Sequence, residues 1–82
     1  MLWEAERKID MNYKLHCLEA VRDDIGEKRY RTSLIQVIAN YYEEAYGGKK
    51  VNKSSMLTFI NLMLTSRGLE EISYSYVKKL VA

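Results

Sequence analysis

The chain has 82 residues, a formal net charge of +2 and a single cysteine, Cys17. This length allows one domain with one core, and a lone cysteine excludes an internal disulfide and a cysteine-built zinc site. The composition, 48% hydrophobic and 29% charged, is typical of a globular domain and excludes a disordered tail.

The first half of the chain predicts two helices, approximately 2–25 and 31–46. In the first, apolar residues from Met11 to Ile25 recur every three or four positions, and Trp3 and Ile9 extend this stripe upstream. In the second, Leu34, Ile38, Tyr41 and Ala45 form the stripe. Glycines end both segments, as expected of residues that tolerate the left-handed conformation past a helix. Thr32 or Ser33 can cap the second helix, which could also begin as early as Glu27.

The second half predicts two more helices, approximately 53–66 and 69–81. Asn52 or Ser54 can cap the third helix, because a short side-chain oxygen accepts a hydrogen bond from a first-turn amide. The fourth has acidic residues at its start and Lys78 and Lys79 at its end, which matches the helix dipole. The alternation from Ile72 to Tyr76 is a strand pattern, but a lone strand lacks a partner. We therefore predict one all-α domain over residues 1–82, a small bundle of three to four helices.

The third predicted helix is apolar nearly all round, and such a helix must be covered on every side. A chain of this length has few helices to cover it, so we expect a homodimer, intertwined or packed, with this helix and tyrosines of the second at the seam. The alternative is that it is simply the central core helix. The candidate interface residues are Met56, Leu57, Phe59, Ile60, Met63, Leu64, Tyr41 and Tyr42.

Charge and hydropathy set expectations for location and partners. Residues 1–27 hold seven acidic and four basic residues, whereas the remainder is basic. This asymmetry suggests that the two parts face different neighbours. No run approaches the ~20 apolar residues of a membrane span, and charges follow Trp3 before a signal segment can form. We expect a cytoplasmic protein with no membrane partner.

Two local patterns that could suggest chemistry have structural interpretations. His16 and Cys17 are adjacent on a helix, so their side chains point about 100° apart, and we interpret Cys17 as a small buried hydrophobe. The segment Gly47–Lys50 lacks the preceding strand and the spacing of a phosphate-binding loop. We therefore predict no catalytic residue, metal or cofactor site and no small-molecule substrate, so the protein is expected not to be an enzyme.

DNA binding is the strongest specific alternative. The third helix, a turn at Arg67–Gly68 and the fourth helix follow the order of a helix-turn-helix motif. Against this, the first helix of the pair is long and the second carries only two bases. The candidate nucleic-acid residues are Ser73, Ser75, Lys78, Lys79, Lys49, Lys50 and Lys53.

Residues 33–81 resemble the AriR/YmgB-like family of small enterobacterial proteins linked to biofilm development and acid resistance. The resemblance lies in Leu34-Ile35-x-Val37-Ile38, a glycine-bearing loop, and Val51-Asn52-Lys53-Ser54-Ser55-Met56-Leu57 running into Ile60, Met63 and Leu64. The loop 43–51 is longer by about two residues than the family pattern, and the first predicted helix is also longer. The resemblance implies a cytoplasmic all-helical dimer that acts as a regulatory connector, with DNA binding suggested for some members.

These observations predict a small regulatory homodimer that acts through protein contacts in a transcriptional or stress-response pathway. The first alternative is direct DNA binding through the last helix. The second is a structural or secretion-associated subunit of a larger complex. The salt dependence of binding would distinguish DNA binding from binding through an apolar interface, because phosphate contacts weaken steeply with salt.

Overall fold

The computed structural model describes residues 4–47 and 50–81, and this part of the chain is all-helical. Its five helices are α1 (Glu4–Ala20), α2 (Arg22–Ile25), α3 (Glu27–Tyr46), α4 (Lys53–Thr65) and α5 (Tyr74–Leu80). They form a small helical bundle, which confirms the predicted fold class. The predicted helix over 2–25 is divided into α1 and α2, and residues 2 and 3 lie outside the described residues.

The bundle is organised around α3. This helix contributes the largest set of buried side chains, among them Tyr30, Leu34, Ile35 and Ile38, each 0% exposed. Helices α1 and α4 both pack on it, and α5 packs on α4. The core is therefore a single cluster to which every described helix except α2 supplies a buried residue.

Helices α1 and α3 form an antiparallel pair. Arg7 and Asp10 line one depression together with Asn40 and Glu44, so the start of α1 lies beside the end of α3. The face of α1 that meets α3 carries Met11, Leu15 and the partly buried Leu18, spaced by four and three residues. Most of the predicted stripe is correct, because Met11, Leu15, Leu18 and Ile25 lie in the core or pack against it. Val21 and Ile9 depart from it, since they are 39% and 68% exposed.

A glycine turns the chain between α2 and α3. Gly26 has φ +87° and ψ 156°, a backbone conformation that essentially only glycine adopts. Its carbonyl accepts the first hydrogen bond of α3, from the Tyr30 amide at 2.9 Å. Helix α3 therefore begins at Glu27, four residues before the predicted boundary at 31. No side-chain cap is needed, because the turn itself aligns the first carbonyl.

Helix α4 begins where the sequence predicts. The Asn52 side chain accepts a hydrogen bond from the Ser55 amide at 3.0 Å, so Asn52 is the cap. After Thr65 the chain turns through Gly68, which has φ +71°. The Leu69 amide then donates to the Leu64 carbonyl at 3.0 Å, which closes the end of the helix.

The last helix is shorter than predicted, because residues 69–73 are not helical. The Asn61 side chain donates to the Ile72 carbonyl at 3.2 Å and accepts from the Ile72 amide at 2.8 Å. Arg31 donates to the carbonyls of Glu70 and Glu71. Since side chains from other helices hold these backbone groups, they do not form helical hydrogen bonds, and α5 starts only after the Ser73 cap.

None of the helices in the described part of the chain has the length and apolar character needed to span a bilayer.

Candidate functional site

Three of the predicted interface residues belong to the core of the single chain. Met56, Ile60 and Leu64 are 0% exposed, on the side of α4 that meets the rest of the bundle. The prediction that these three residues lie at an interface is therefore wrong, since a side chain with no exposed surface cannot contact a partner in this fold. The short chain length suggested that too few helices were available to cover α4, but the rest of the bundle covers this side of it completely. Leu57 is half-buried and also packs against the core.

The other predicted interface residues lie together at one edge of the bundle. The Tyr42 ring centroid is 5.4 Å from that of Phe59 and 4.6 Å from that of Tyr46. Tyr41 is 8% exposed and contacts Phe59 with a centroid distance of 6.0 Å. The three tyrosines near the end of α3 and Phe59 of α4 therefore form one continuous cluster, of which Tyr41 is the buried base.

The exposed part of this cluster continues along α4. Leu62 and Met63 follow Phe59 by three and four residues, so they lie beside it on the helix surface. Leu62 is 64% exposed and Tyr46 is 50% exposed, while the other members are half-buried. We call this surface the aromatic patch; its residues are Tyr42, Tyr46, Phe59, Leu62 and Met63.

Tyr46 and Leu62 were not among the predicted interface residues. Each could have been found from spacing, because Tyr46 follows Tyr42 by four residues and Leu62 follows Phe59 by three. The two side chains give the patch its largest exposed apolar area. Just after Tyr46, the Lys50 amide donates to the Gly47 carbonyl at 3.1 Å.

The predicted nucleic-acid residues are distributed over two parts of the fold. Ser75, Lys78 and Lys79 are exposed on α5, and the Lys78 ammonium lies 6.0 Å from the centre of the Tyr74 ring. Ser73 accepts from the Tyr76 amide as the α5 cap. Lys53 is the first residue of α4, Lys50 precedes that helix by three residues, and Lys49 lies outside the described residues.

The segment from α4 to α5 departs from a helix-turn-helix. Residues 66–73 separate the two helices, whereas the motif uses a turn of about three or four residues. Helix α5 has seven residues, which gives about two turns for reading a groove. The order of parts is that of the motif, but the turn is long and the last helix is short.

His16 and Cys17 are both exposed on α1. The interpretation of Cys17 as a buried hydrophobe is therefore wrong, because Cys17 lies at the edge of the α1–α3 contact, beside Val21 and beside Val37 of α3, and not within it. Over the described residues, no three His, Cys, Asp or Glu side chains are grouped so that they could hold a metal ion.

A polar network joins the end of α1 to α3. The buried Tyr30 hydroxyl donates to the Glu19 carboxylate, and the Arg22 guanidinium lies 4.4 Å from the centre of the Tyr30 ring. Arg22 also donates two hydrogen bonds to Glu27, at 2.6 and 2.8 Å. The hydrogen bond from Tyr30 is the main cause of the lowered pKa of Glu19, and burial is the main cause of the raised pKa of Tyr30. Both shifts keep the tyrosine protonated and the carboxylate charged, so the network stabilises the contact between the end of α1 and α3.

The depression between α1 and α3 is too small for a metabolite. It has a volume of about 50 Å³ and is lined by residues that include Arg7, Asp10 and Glu44. Small-molecule sites usually enclose roughly 300–1,000 Å³. This depression has room for ordered water and not for a substrate.

No family model, curated protein or solved structure matches the chain.

Proposed function

We propose that the protein is a small non-enzymatic regulatory protein that binds a regulatory protein partner through the aromatic patch. It acts as a connector or modulator in a transcriptional or stress-response pathway. The observation that carries this proposal is the ring cluster of Tyr46, Tyr42 and Phe59. Helical spacing extends it to Leu62, and Tyr46 and Leu62 expose half or more of their area to water. Exposed apolar patches of this kind generally mark interaction sites.

The chemistry of the patch supports a protein as its partner. Tyrosine joins a large apolar ring to a hydroxyl that can remain hydrated, and tyrosine, phenylalanine and methionine are enriched in protein interfaces. Tyr42 and Phe59 are anchored by ring contacts and by the core, so little conformational entropy is lost when a partner binds them. Such rigid, partly buried aromatic residues are typical anchors of binding energy.

The finer features of the proposal are predictions from the sequence. They comprise a homodimer, a cytoplasmic location and membership of the AriR/YmgB-like family, with the link to biofilm development that this resemblance implies. The homodimer predicted on α4 now involves fewer residues, because Met56, Ile60 and Leu64 are core residues. The resemblance over residues 33–81 points to the same kind of function, a connector that works through protein contacts.

Direct binding of DNA is the second candidate. The observation that favours it is the exposure of Ser75, Lys78 and Lys79 on one short helix at the surface. Lysines in this position can bind phosphates, and removal of each such lysine would lower the slope of log affinity against log salt by about 0.9. The long turn and the short α5 place this candidate below a protein partner.

The two candidates are separated by matched variants on α4 and α5. A partner captured from the native host is produced separately, and its affinity is measured by calorimetry. Leu62→Glu should weaken binding roughly tenfold or more, because it places a charge in an apolar interface. Ser54→Glu is the control, since it adds the same charge on another side of α4. Unchanged affinity for Leu62→Glu would contradict the proposal. Salt-sensitive binding of duplex DNA that Lys78→Ala with Lys79→Ala abolishes would favour the second candidate.

A further inference from the structure

The segment 69–73 is not helical, but its sequence suits a helix. It contains no glycine or proline, and Leu69 and Ile72 are three residues apart. Tyr76 and Leu80 of α5 continue this series at intervals of four, and all four side chains lie in the core or pack against it. One helix over the segment and α5 would therefore carry a single apolar stripe towards the bundle.

The charges at the two ends also favour a longer helix. Helix α5 has Lys78 and Lys79 in its last turn, but its first turn contains no acidic residue. Glu70 and Glu71 precede α5 by four and three residues, and both are exposed. A helix that began at residue 69 would place both carboxylates in its first turn, where they interact favourably with the helix dipole.

Side chains from two other helices hold the segment out of a helix. Asn61 of α4 donates to the Ile72 carbonyl at 3.2 Å and accepts from the Ile72 amide at 2.8 Å. Arg31 of α3 donates to the carbonyls of Glu70 and Glu71 at 3.1 and 3.3 Å. In a helix, these three carbonyls would accept from the amides four residues later. The two tethers, Asn61 and Arg31, therefore compete with a longer helix for the same backbone groups.

The Arg31 tether is incomplete. Both of its hydrogen bonds come from Nη2 and are exposed, whereas the Asn61 pair is part-buried. The Nε of Arg31 is buried and has no hydrogen-bond partner in the described part of the chain. A buried donor without a partner costs stability, and such a group in a folded protein often marks stored strain. The tethered conformation therefore carries a cost that a longer helix, which releases Arg31, would remove.

We propose that the segment 69–73 is a conformational switch between the tethered form and a helical form in which α5 extends back to Leu69. A sequence can have two such packings when its local helix preference and its tertiary contacts oppose each other. The end of α4 is unaffected, because the Leu69 amide donates to the Leu64 carbonyl at 3.0 Å and closes that helix first. The tethered form is the major one, since it buries Val77 completely and keeps the Asn61 pair.

The switch changes the position of the lysines at the end of α5. A change from an extended to a helical backbone shortens the segment by up to about 9 Å, from about 3.3 to about 1.5 Å per residue. The turn after α4 then comprises residues 66–68, and the last helix has about twelve residues. These are the short turn and the long helix that a helix-turn-helix motif requires and that the tethered form lacks.

The inference does not rest on the proposed protein partner, because the aromatic patch consists of other residues. A ligand shifts a conformational equilibrium only by the difference between its affinities for the two forms. Duplex DNA bound at Lys78 and Lys79 would select the helical form, since only that form presents a long helix after a short turn. DNA binding, the second candidate function, is accordingly expected of the helical form.

Matched serine variants test the switch by NMR relaxation dispersion, which detects minor forms that exchange in microseconds to milliseconds. The Ser73 side chain caps α5 by accepting from the Tyr76 amide, so Ser73→Ala disfavours a helix start at this position and favours a helix through it. The minor form of the wild type should have helical Cα shifts over 69–73, and Ser73→Ala should raise its population about fivefold. Ser75→Ala is the control, since Ser75 is helical in both forms. An absence of exchange in the wild type and in Ser73→Ala, or a minor form with random-coil shifts, would overturn the proposal.

Removal of both tethers should convert the segment. Loss of Asn61 alone leaves Arg31 in place, so Asn61→Leu is combined with Arg31→Met, which keeps an apolar stem and removes the donors. With Ser73→Ala added, residues 69–73 should show helical Cα shifts in the major form, and the far-UV circular dichroism should gain helical signal. A folded bundle in which these residues have random-coil shifts would show that the tethers order a segment with no helix preference, and would contradict the assignment. If this variant does not fold, the relaxation experiment decides the question.

Discussion

The side-chain amide of Asn61 pairs with the backbone of Ile72 in both directions. Its nitrogen donates to the Ile72 carbonyl at 3.2 Å, and its oxygen accepts from the Ile72 amide at 2.8 Å. This pair joins α4 to the segment that precedes α5 and is partly buried. It holds the backbone of Ile72 outside a helix, so α5 begins only after this residue.

Removal of this pair should destabilise the α4–α5 region. Asn61→Leu keeps the volume but leaves the Ile72 amide and carbonyl unpaired, so the free energy of unfolding should fall by about 2–3 kcal/mol. Urea denaturation followed by circular dichroism measures the change. Gln36→Leu is the control, because the bond from Gln36 to Asn40 is exposed and its removal should cost little. An equal decrease in both variants would contradict the role given to Asn61.

The two leucines Leu62 and Leu64 should differ sharply in their contribution to stability. Leu64 is 0% exposed and Leu62 is 64% exposed, although they are two residues apart on α4. Leu64→Ala should cost about 2–5 kcal/mol, because it removes buried apolar atoms and leaves a cavity, whereas Leu62→Ala should stay within about 0.5 kcal/mol. Thermal or urea unfolding of the dilute protein measures both. Similar decreases would mean that the other helices do not cover the Leu64 side of α4.

The Glu19–Tyr30 network should make stability dependent on pH in the acidic range. The lowered pKa of Glu19, caused first by the hydrogen bond from Tyr30, means that the folded state favours the charged carboxylate. This contribution is fully present above the ordinary carboxyl pKa of 4.5 and is lost as the pH falls through the lower folded value. Glu27, whose pKa is lowered mainly by Arg22, acts in the same direction.

Tyr30→Phe isolates the part that the hydroxyl contributes. The variant should lower the melting temperature at neutral pH, because the bond to Glu19 is removed, and should lose less stability than the wild type on acidification below pH 4.5. Thermal melts between neutral and acidic pH measure this difference. Parallel curves for the two proteins would show that Tyr30 does not lower the pKa of Glu19.

Gly26 should tolerate a side chain less well than Gly68 does. Its φ of +87° and ψ of 156° are costly for any residue with a Cβ, although no atom lies within 4 Å of where that Cβ would be. Gly26→Ala should therefore cost about 1–3 kcal/mol through backbone strain alone. Gly68→Asn is the comparison, since asparagine tolerates the left-handed region that φ +71° indicates. Urea unfolding that ranks the two variants in the reverse order would contradict this account of the turn.

The helices could be predicted from the sequence because their apolar spacing is local. The Asn52 cap is equally local, since the cap and the amide it accepts from are three residues apart. The late start of α5 could not be predicted, because it depends on Asn61 and Arg31, which reach residues 70–72 from other helices. The early start of α3 depends on the conformation of Gly26, which the apolar pattern does not report.

The candidate site could be predicted in part for the same reason. Periodicity indicates that α4 is an unusually apolar helix, but it cannot determine which side the other helices cover. Phe59 and Met63 therefore belong to the partly exposed aromatic patch, and their place at an interface stays a prediction, whereas Met56 and Ile60 belong to the core. The exposure of Ile9 could have been predicted from spacing, because residues 9 and 11 lie about 200° apart on a helix and only one of them can share a stripe with Leu15 and Leu18. The packing of α1 on α3 shows that Met11 is the buried one.

Site-specific photo-cross-linking in the native host tests the central claim, that the aromatic patch binds a protein partner. Benzoylphenylalanine is incorporated at Tyr46, which is 50% exposed in the patch, and at Ser54 as a control on another side of α4. The account predicts a discrete adduct with a different protein from Tyr46, absent from Ser54 and abolished when Leu62→Glu is added. An adduct pattern that is the same from both positions, or adducts from Tyr46 that contain only nucleic acid, would contradict it.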